Sequence, residues 1–274
     1  MKKNILLVND DGIEALGIHK LAEALSDAGD VYVCSPHEQR SGSGHGISVG
    51  RTIYVSDARF KEAKHAILME GTPVDCVKIG LEIYRGRGVE IDMVFSGFNH
   101  GPNLGTDTLY SGTVSAAVEG AMCGLPSAAM SIKASYHRAP ANFETAMKLA
   151  KKIALSKQFS SRKSEDRNKL DVNFINRDHV ILNVNFPDLP PEEIKGVKIC
   201  PLSYQAYFEW FQEGVQDGRA CYHYAGAPYV LGEAEADDSD VVANELGYVT
   251  ITPLQFDLTD QSKVQALRRE NFWE

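Results

Sequence analysis

The chain has 274 residues, 43% hydrophobic and 24% charged, values typical of a globular protein that exclude disordered and fibrous classes. Its 28 basic and 37 acidic residues give a net charge of −9. That is too acidic to grasp a nucleic-acid backbone, which needs many Lys and Arg contacts, so no nucleic-acid polymer is expected as a partner. The 5 cysteines (Cys34, Cys76, Cys123, Cys200 and Cys221) are scattered and form no Cys-x-x-Cys pair, which argues against a disulfide scaffold and a cysteine zinc site. Only four apolar residues, Ile5 to Val8, follow the first lysines, whereas a signal peptide needs about seven or more. No run approaches the roughly 18 apolar residues of a membrane span. The cytoplasm is the expected location, with no membrane partner.

Ile5 to Val8 read as a buried parallel strand ending at the turn Asn9-Asp10-Asp11-Gly12. Leu16, His19, Leu21, Ala22 and Leu25 follow at helical spacing, and Val31 to Cys34 form a second strand closed by Ser35-Pro36. This β-α-β opening predicts an α/β fold with a doubly wound, mostly parallel sheet. A glycine-rich loop, Arg40 to Gly46, comes next, then strand-like stretches at Thr52 to Val55 and Ala66 to Met69. Thr72 with Pro73 reads as a helix start. Further elements are a strand at Asp92 to Gly97, a small-residue helix from about Thr113 to Cys123, a strand at Ser127 to Ser131 and a helix from Phe143 to Leu155. Residues 156–178 are polar and charged and read as a solvated insertion. A strand at Val180 to Val184, another at Tyr248 to Thr252 and a terminal helix at Val264 to Phe272 complete the reading. The expected domains are 1–202, a catalytic domain, and 203–274, an arm with a returning strand and a terminal helix.

In an open parallel sheet, ligands bind outside the carboxyl ends of the strands. Three polar clusters follow strand ends: Asp10-Asp11, Ser41 with its glycine loop, and Asn99 to Asn103. They offer two carboxylates, a hydroxyl and amide carbonyls. Such hard oxygen donors suit Mg²⁺, Mn²⁺ or Ca²⁺ better than Zn²⁺. Adjacent aspartates are costly to hold together without a cation, although one could equally cap a helix while the other is solvated. Ser111-Gly112-Thr113 opens a helix and can form an anion site or serve as plain caps. His45 and His100 lie in the same loops and are candidate proton carriers.

These clusters, in this order, resemble the SurE family of metal-dependent 5′-nucleotidases. The matching segments are Ile5 to Gly12, Pro36 with Arg40-Ser41-Gly42, Gly71 to Val77, Ser96 to Gly105 and Tyr110 to Gly120. Leu182 to Asn185 with Pro187 and Gly247 to Leu254 follow. The likeness covers nearly the whole chain. It implies a Rossmann-like domain, a C-terminal part that assembles homodimers or homotetramers, and hydrolysis of nucleoside 5′-monophosphates to nucleoside and phosphate. It implies one divalent cation, Mg²⁺ or Mn²⁺, held by Asp10, Asp11, Ser41 and Asn99, with Asp10, Asp11 and Asn99 catalytic. Asn103, Ser111, Gly112 and Thr113 are implied to grip the phosphoryl oxygens. Water is the favoured nucleophile, since both aspartates are wanted as ligands. His100 stands where the family often has a small residue, and the 156–178 stretch is longer than usual.

Other acidic-site modules fit less well. A receiver module needs a phospho-accepting Asp after its third strand and a Lys after its fifth, and an aspartyl-phosphate hydrolase needs an aspartate where Gly12 stands. A zinc deacetylase needs a histidine near the pair. The remaining alternative is a non-catalytic nucleotide- or phosphate-sensing protein. In the segment 203–232, eight aromatics (Tyr204, Tyr207, Phe208, Trp210, Phe211, Tyr222, Tyr224 and Tyr229) lie among glycines and Pro228. They predict an extended hairpin arm that reaches a partner subunit.

Overall fold

The computed structural model describes residues 2–134, 142–159, 180–207, 211–224, 229–231 and 238–270. Its elements in chain order begin with β1 (Lys3–Val8), α1 (Leu16–Ser26), β2 (Gly29–Pro36), β3 (Val55–Ala58), β4 (His65–Met69), α2 (Pro73–Gly86) and β5 (Met93–His100). A single 3₁₀ turn (Gly105–Leu109), α3 (Gly112–Met122), β6 (Ser127–Lys133), α4 (Glu144–Leu155), β7 (Ile181–Pro187), β8 (Val197–Ile199) and β9 (Gln205–Tyr207) come next. β10 (Phe211–Gln216), β11 (Arg219–Tyr224), β12 (Tyr229–Leu231), α5 (Asp240–Glu245), β13 (Val249–Leu254) and α6 (Gln261–Arg269) complete the list.

Nine strands form one sheet in the order β3-β4-β2-β1-β5-β6-β7-β13-β8. The six from β4 to β7 are parallel throughout. β3 and β13 join antiparallel. Both faces of the sheet are covered, which explains the unbroken apolar run of β1. Ile5 and Leu7 pack on the α1 and α4 side, whereas Leu6 and Val8 pack toward α2. The chain moves outward from β1 to β2 and β4, then returns to place β5 on the other side of β1. The switch point therefore lies between β1 and β5, where such folds open a ligand crevice.

The Thr72 helix start is present in full. Thr72 Oγ1 accepts from the Asp75 N–H while the Asp75 carboxylate accepts from the Thr72 N–H, a reciprocal capping box. The strand expected at Thr52 to Val55 falls three residues later. Its ladder is fixed by β4, with Val55 opposite Met69 and Ala58 opposite Ala66, so Thr52 to Tyr54 run past the end of β4. Gly17, at the start of α1, lies so close to β5 that an added Cβ would meet the Phe98 carbonyl oxygen at 2.0 Å.

The returning strand after residue 202 is β13, inserted between β7 and β8 in the main sheet. β10 and β11 form an antiparallel hairpin turned at Asp217-Gly218, and β9 pairs with β12. Phe211, Val215 and Tyr222 are exposed on that hairpin. Phe208, Trp210 and Pro228 of the expected arm, and residues 160–178 of the expected insertion, lie outside the described residues. Among the described residues, no helix is long and apolar enough to cross a membrane.

Candidate active site at the β1 and β5 switch point

The turn after β1 is built by Asn9, which is wholly buried. Its Nδ2 donates to the Gly12 carbonyl at 2.7 Å, and its Oδ1 accepts from Ser35 Oγ at the end of β2, also at 2.7 Å. This fixes the two aspartates that follow. Asp10 is 3% exposed and points at the start of α3. Its Oδ1 accepts from Thr113 Oγ1 at 2.7 Å, and the Thr113 backbone N–H also donates to it. Asp11 lies nearer the surface. It accepts from the His100 backbone N–H at the end of β5 (3.0 Å) and from Gln39 Nε2 (3.2 Å). Burial and the neighbouring Asp11 charge push the Asp10 carboxyl up to about 6, against the Thr113 hydrogen bonds. Burial likewise raises Asp11, against the His100 N–H. Among the described residues, no Lys or Arg pairs with either carboxylate.

The loop after β2 closes over this turn. The Arg40 N–H donates to the Asp10 carbonyl (2.7 Å) and the Gly44 N–H to the Tyr110 carbonyl (3.0 Å). Gln39 Nε2 also donates to Ser41 Oγ at 3.0 Å, so one amide links Ser41 to Asp11. Asn99, on β5, donates its amide to the Gly101 carbonyl, so Oδ1 is the atom with which it could meet a cation. The structure thus links Ser41 to Asp11 through Gln39 and sets Asn99 next to His100, whose N–H donates to Asp11, while Asp10 turns toward α3.

The four residues read as phosphate contacts divide. Ser111 caps α3, its Oγ accepting from the Val114 N–H, so its O–H proton is left to donate. Thr113 has already spent its proton on Asp10. Gly112 sits where an added Cβ would meet Ser43 Oγ at 2.8 Å and Asp10 Oδ2 at 2.9 Å. Asn103 is 7% exposed and pinned from β7: its N–H donates to Asn185 Oδ1, and its carbonyl accepts from Asn183 and Asn185 Nδ2. Its own amide donates to Ser131 Oγ on β6.

Several supporting residues were given no role by the sequence reading, although Glu119, Asn183 and Asn185 lie in its matching segments. Asn183 and Asn185 are two polar residues at i and i+2 on a buried strand, a visible sign of a polar network on one sheet face. Asp240, fully buried at the start of α5, accepts from the Gly105, Ser203 and Val241 N–H groups and so fixes the 105 turn. Glu119 on α3, 3% exposed, accepts from His45 Nε2 (2.9 Å) and Lys78 Nζ (2.8 Å). His45, read as a possible proton carrier, here ties the glycine loop to α3.

Burial pushes Glu119 up, but the His45 and Lys78 hydrogen bonds outweigh it and hold the carboxyl down at about 2. A carboxylate depressed in the folded state contributes stability above its unfolded pKa of about 4.5 and loses it as pH falls toward 2. Wild-type stability is therefore expected to fall between about pH 4.5 and 2. Glu119→Gln should lower stability near pH 7 by about 2 kcal/mol and flatten that acid limb. Urea unfolding of both proteins at pH 7, 4 and 3 measures it; an unchanged acid slope in the variant would contradict the assignment.

The fold and site together define an α/β protein with a doubly wound sheet and an acidic, oxygen-donor centre at the switch point, facing a helix N-terminus. The family model described as Survival protein SurE matches residues 5–209, and the chain belongs to the SurE family. It is 40% identical over 267 residues to the 5′-nucleotidase SurE of Syntrophomonas wolfei, covering 97% of this chain and 93% of that protein. The 5′-nucleotidase SurE of Pelotomaculum thermopropionicum is 39% identical over 267 residues, with 97% and 94% covered. The crystal structure of the SurE protein from Aquifex aeolicus superposes with a TM-score of 0.73 at 31% identity, covering 98% of this chain and 99% of that one.

Proposed function

We propose that this protein is a metal-dependent 5′-nucleotidase, hydrolysing nucleoside 5′-monophosphates to nucleoside and phosphate. The observation that carries this reading is the Asp10-Asp11 pair, Asp10 buried and Asp11 partly so, with Asp10 set against the N-terminus of α3. Two carboxylates with only neutral donors as hydrogen-bond partners leave a deficit of positive charge. A divalent cation fits the donor set: Asp10, Asp11, Ser41 Oγ and Asn99 Oδ1 are hard oxygen ligands, as Mg²⁺ and Mn²⁺ prefer. Among the described residues no group of three or more His, Cys, Asp or Glu side chains could hold a metal ion, so the candidate set includes the Ser41 and Asn99 oxygens. When bound, the cation supplies Lewis-acid stabilisation and lowers the pKa of water.

The chain's own residues do the rest. In this reading the Ser111 hydroxyl and Gly112 at the first turn of α3 would meet the phosphoryl group, with Asn103, whose amide donates to Ser131 Oγ, as the remaining candidate contact. Hydrogen bonds to β6 and β7 fix Asn103, so that little reorganisation of it would accompany binding. Beside Asp11 lies a cavity of about 250 Å³ lined by Leu16, Gln39, Phe98, His100 and Phe143, among others. Its apolar walls and few polar groups suit a nucleoside more than a bare phosphate ester.

Phosphate release from AMP and GMP, measured with and without a chelator, tests the reading. Chelator-sensitive release is expected, and nucleotide binding without release would favour the sensing alternative. Thr113→Val removes the donor to Asp10 at nearly constant shape. It should raise the metal concentration for half-maximal activity roughly tenfold while leaving phosphate inhibition nearly unchanged, as parallel titrations would show.

The same reading takes the segment around β10 and β11 as an assembly arm and the protein as at least a dimer. The exposed Phe211, Val215 and Tyr222 support it, because apolar surface of this kind marks interfaces. Light scattering at micromolar concentration should give a mass of two or more chains. Replacing 205–230 with a short Gly-Ser turn should reduce it, and a monomeric full-length protein would end the idea.

A further inference from the structure

We propose that the hydroxyl of Ser43 is a phosphate-binding group of this site, donating its proton to the substrate's phosphoryl oxygen; this rests on the phosphatase reading. Ser43 Oγ is buried and has no hydrogen-bond partner in the structure. Buried hydroxyls are nearly always paired, so an orphan needs a cause. The position of this one supplies it. Ser43 Oγ and Asp10 Oδ2 both border the same point above Gly112, 2.8 and 2.9 Å from where a Cβ would stand, without bonding each other. That point lies at Gly112, the first residue of α3, whose next two N–H groups already donate to Asp10 and to Ser111 Oγ, so an added anion there needs a further donor of the Ser43 kind.

The hydroxyl inventory points the same way. Thr113, the other hydroxyl beside Asp10, has committed its proton to Asp10 Oδ1. A phosphoryl oxygen is an acceptor and cannot use a hydroxyl whose proton is already given away. Ser43 has its proton to give. The backbone holds it there: the Ser43 N–H donates to the Arg40 carbonyl and the Gly44 N–H to the Tyr110 carbonyl, with His45 tied to Glu119 just beyond. Ser41 and Ser43, two residues apart on one loop, thereby divide the work. Ser41 joins the Gln39 and Asp11 side, and Ser43 the phosphate side.

Ser43→Ala and Ser43→Thr test the proposal against wild type, using inorganic phosphate as a competitive inhibitor of AMP hydrolysis and separate Mn²⁺ titrations. Ser43→Ala should raise the phosphate inhibition constant about 10- to 100-fold, with the half-saturating Mn²⁺ concentration unchanged within about twofold. Ser43→Thr, which keeps the hydroxyl, should stay within about threefold of wild type on both. A structural hydroxyl would behave differently, so melting temperatures are also decisive. Removing an unpaired buried hydroxyl should leave the melting temperature equal or higher, and a drop of several degrees in Ser43→Ala would overturn the proposal. So would an unchanged phosphate constant, or a loss confined to Mn²⁺ affinity. A wild type with neither AMP hydrolysis nor phosphate binding would sink the phosphatase reading and this proposal with it. An active wild type matched by Ser43→Ala would sink the proposal alone.

Discussion

Asp11→Asn is expected to lower phosphatase turnover at limiting metal by at least about 100-fold, roughly 3 kcal/mol of transition-state stabilisation, while leaving the fold intact. The side chain keeps its size, and its oxygen can still accept from the His100 N–H, as Asp11 Oδ2 does at 3.0 Å. What is lost is one of two negative charges available to a cation. The new amide also faces Gln39 Nε2, a donor, so that contact must rearrange. Folding should not suffer. Burial and Asp11 both push Asp10 upward, so removing the neighbouring charge relieves a like-charge pair. The melting temperature should be equal or slightly higher, with unchanged circular dichroism. Raising the metal concentration should recover part of the activity. Turnover near wild type at limiting metal would show that Asp11 is no ligand.

What the sequence disclosed of this site, and what it concealed, follows one physical division. β1 was legible because a strand covered on both faces must be apolar throughout, and Ile5 to Val8 stop abruptly at Asn9. The start of α2 was legible because Thr72, Pro73 and Asp75 carry a local pattern in which every partner lies within three residues. The candidate ligand residues were legible as types, since carboxylates and a serine after strand ends mark the mouth of such a sheet. The network that holds them was not legible. Gln39 bridging Asp11 and Ser41, Glu119 gripping His45 across 74 residues, and Asp240 reaching Gly105 across 135 depend on tertiary approach that no local pattern encodes. The short elements escaped for a related reason. β8 is three exposed-edge residues and α5 is six, too brief for a period to appear. Thr113 shows the sharper lesson. A hydroxyl at a helix start reads as an anion contact, and the anion it meets is the protein's own Asp10.

That crowding of anion, hydroxyl and helix start on one glycine makes Gly112→Ala the second large expected effect. In an open helix this change favours the helix by up to about 1 kcal/mol, and Gly112 has no positive φ to protect. Sterics oppose it. The added methyl would stand 2.8 Å from Ser43 Oγ, 2.9 Å from Asp10 Oδ2 and 3.0 Å from Pro73 Cγ, all inside van der Waals contact. Two of the three atoms are ends of side chains that can rotate away, so the chain should still fold, with a melting temperature within a few degrees of wild type. The atoms that must rotate are those that make the site. Asp10 leaves its Thr113 hydrogen bond or tilts from the crevice, and Ser43 Oγ is pushed from its place over the start of α3. Turnover should fall at least about 100-fold, and inorganic phosphate should no longer inhibit the residual activity in the millimolar range. A folded Gly112→Ala protein with wild-type turnover and phosphate inhibition would mean that substrate does not approach the Asp10, Ser43 and Gly112 corner.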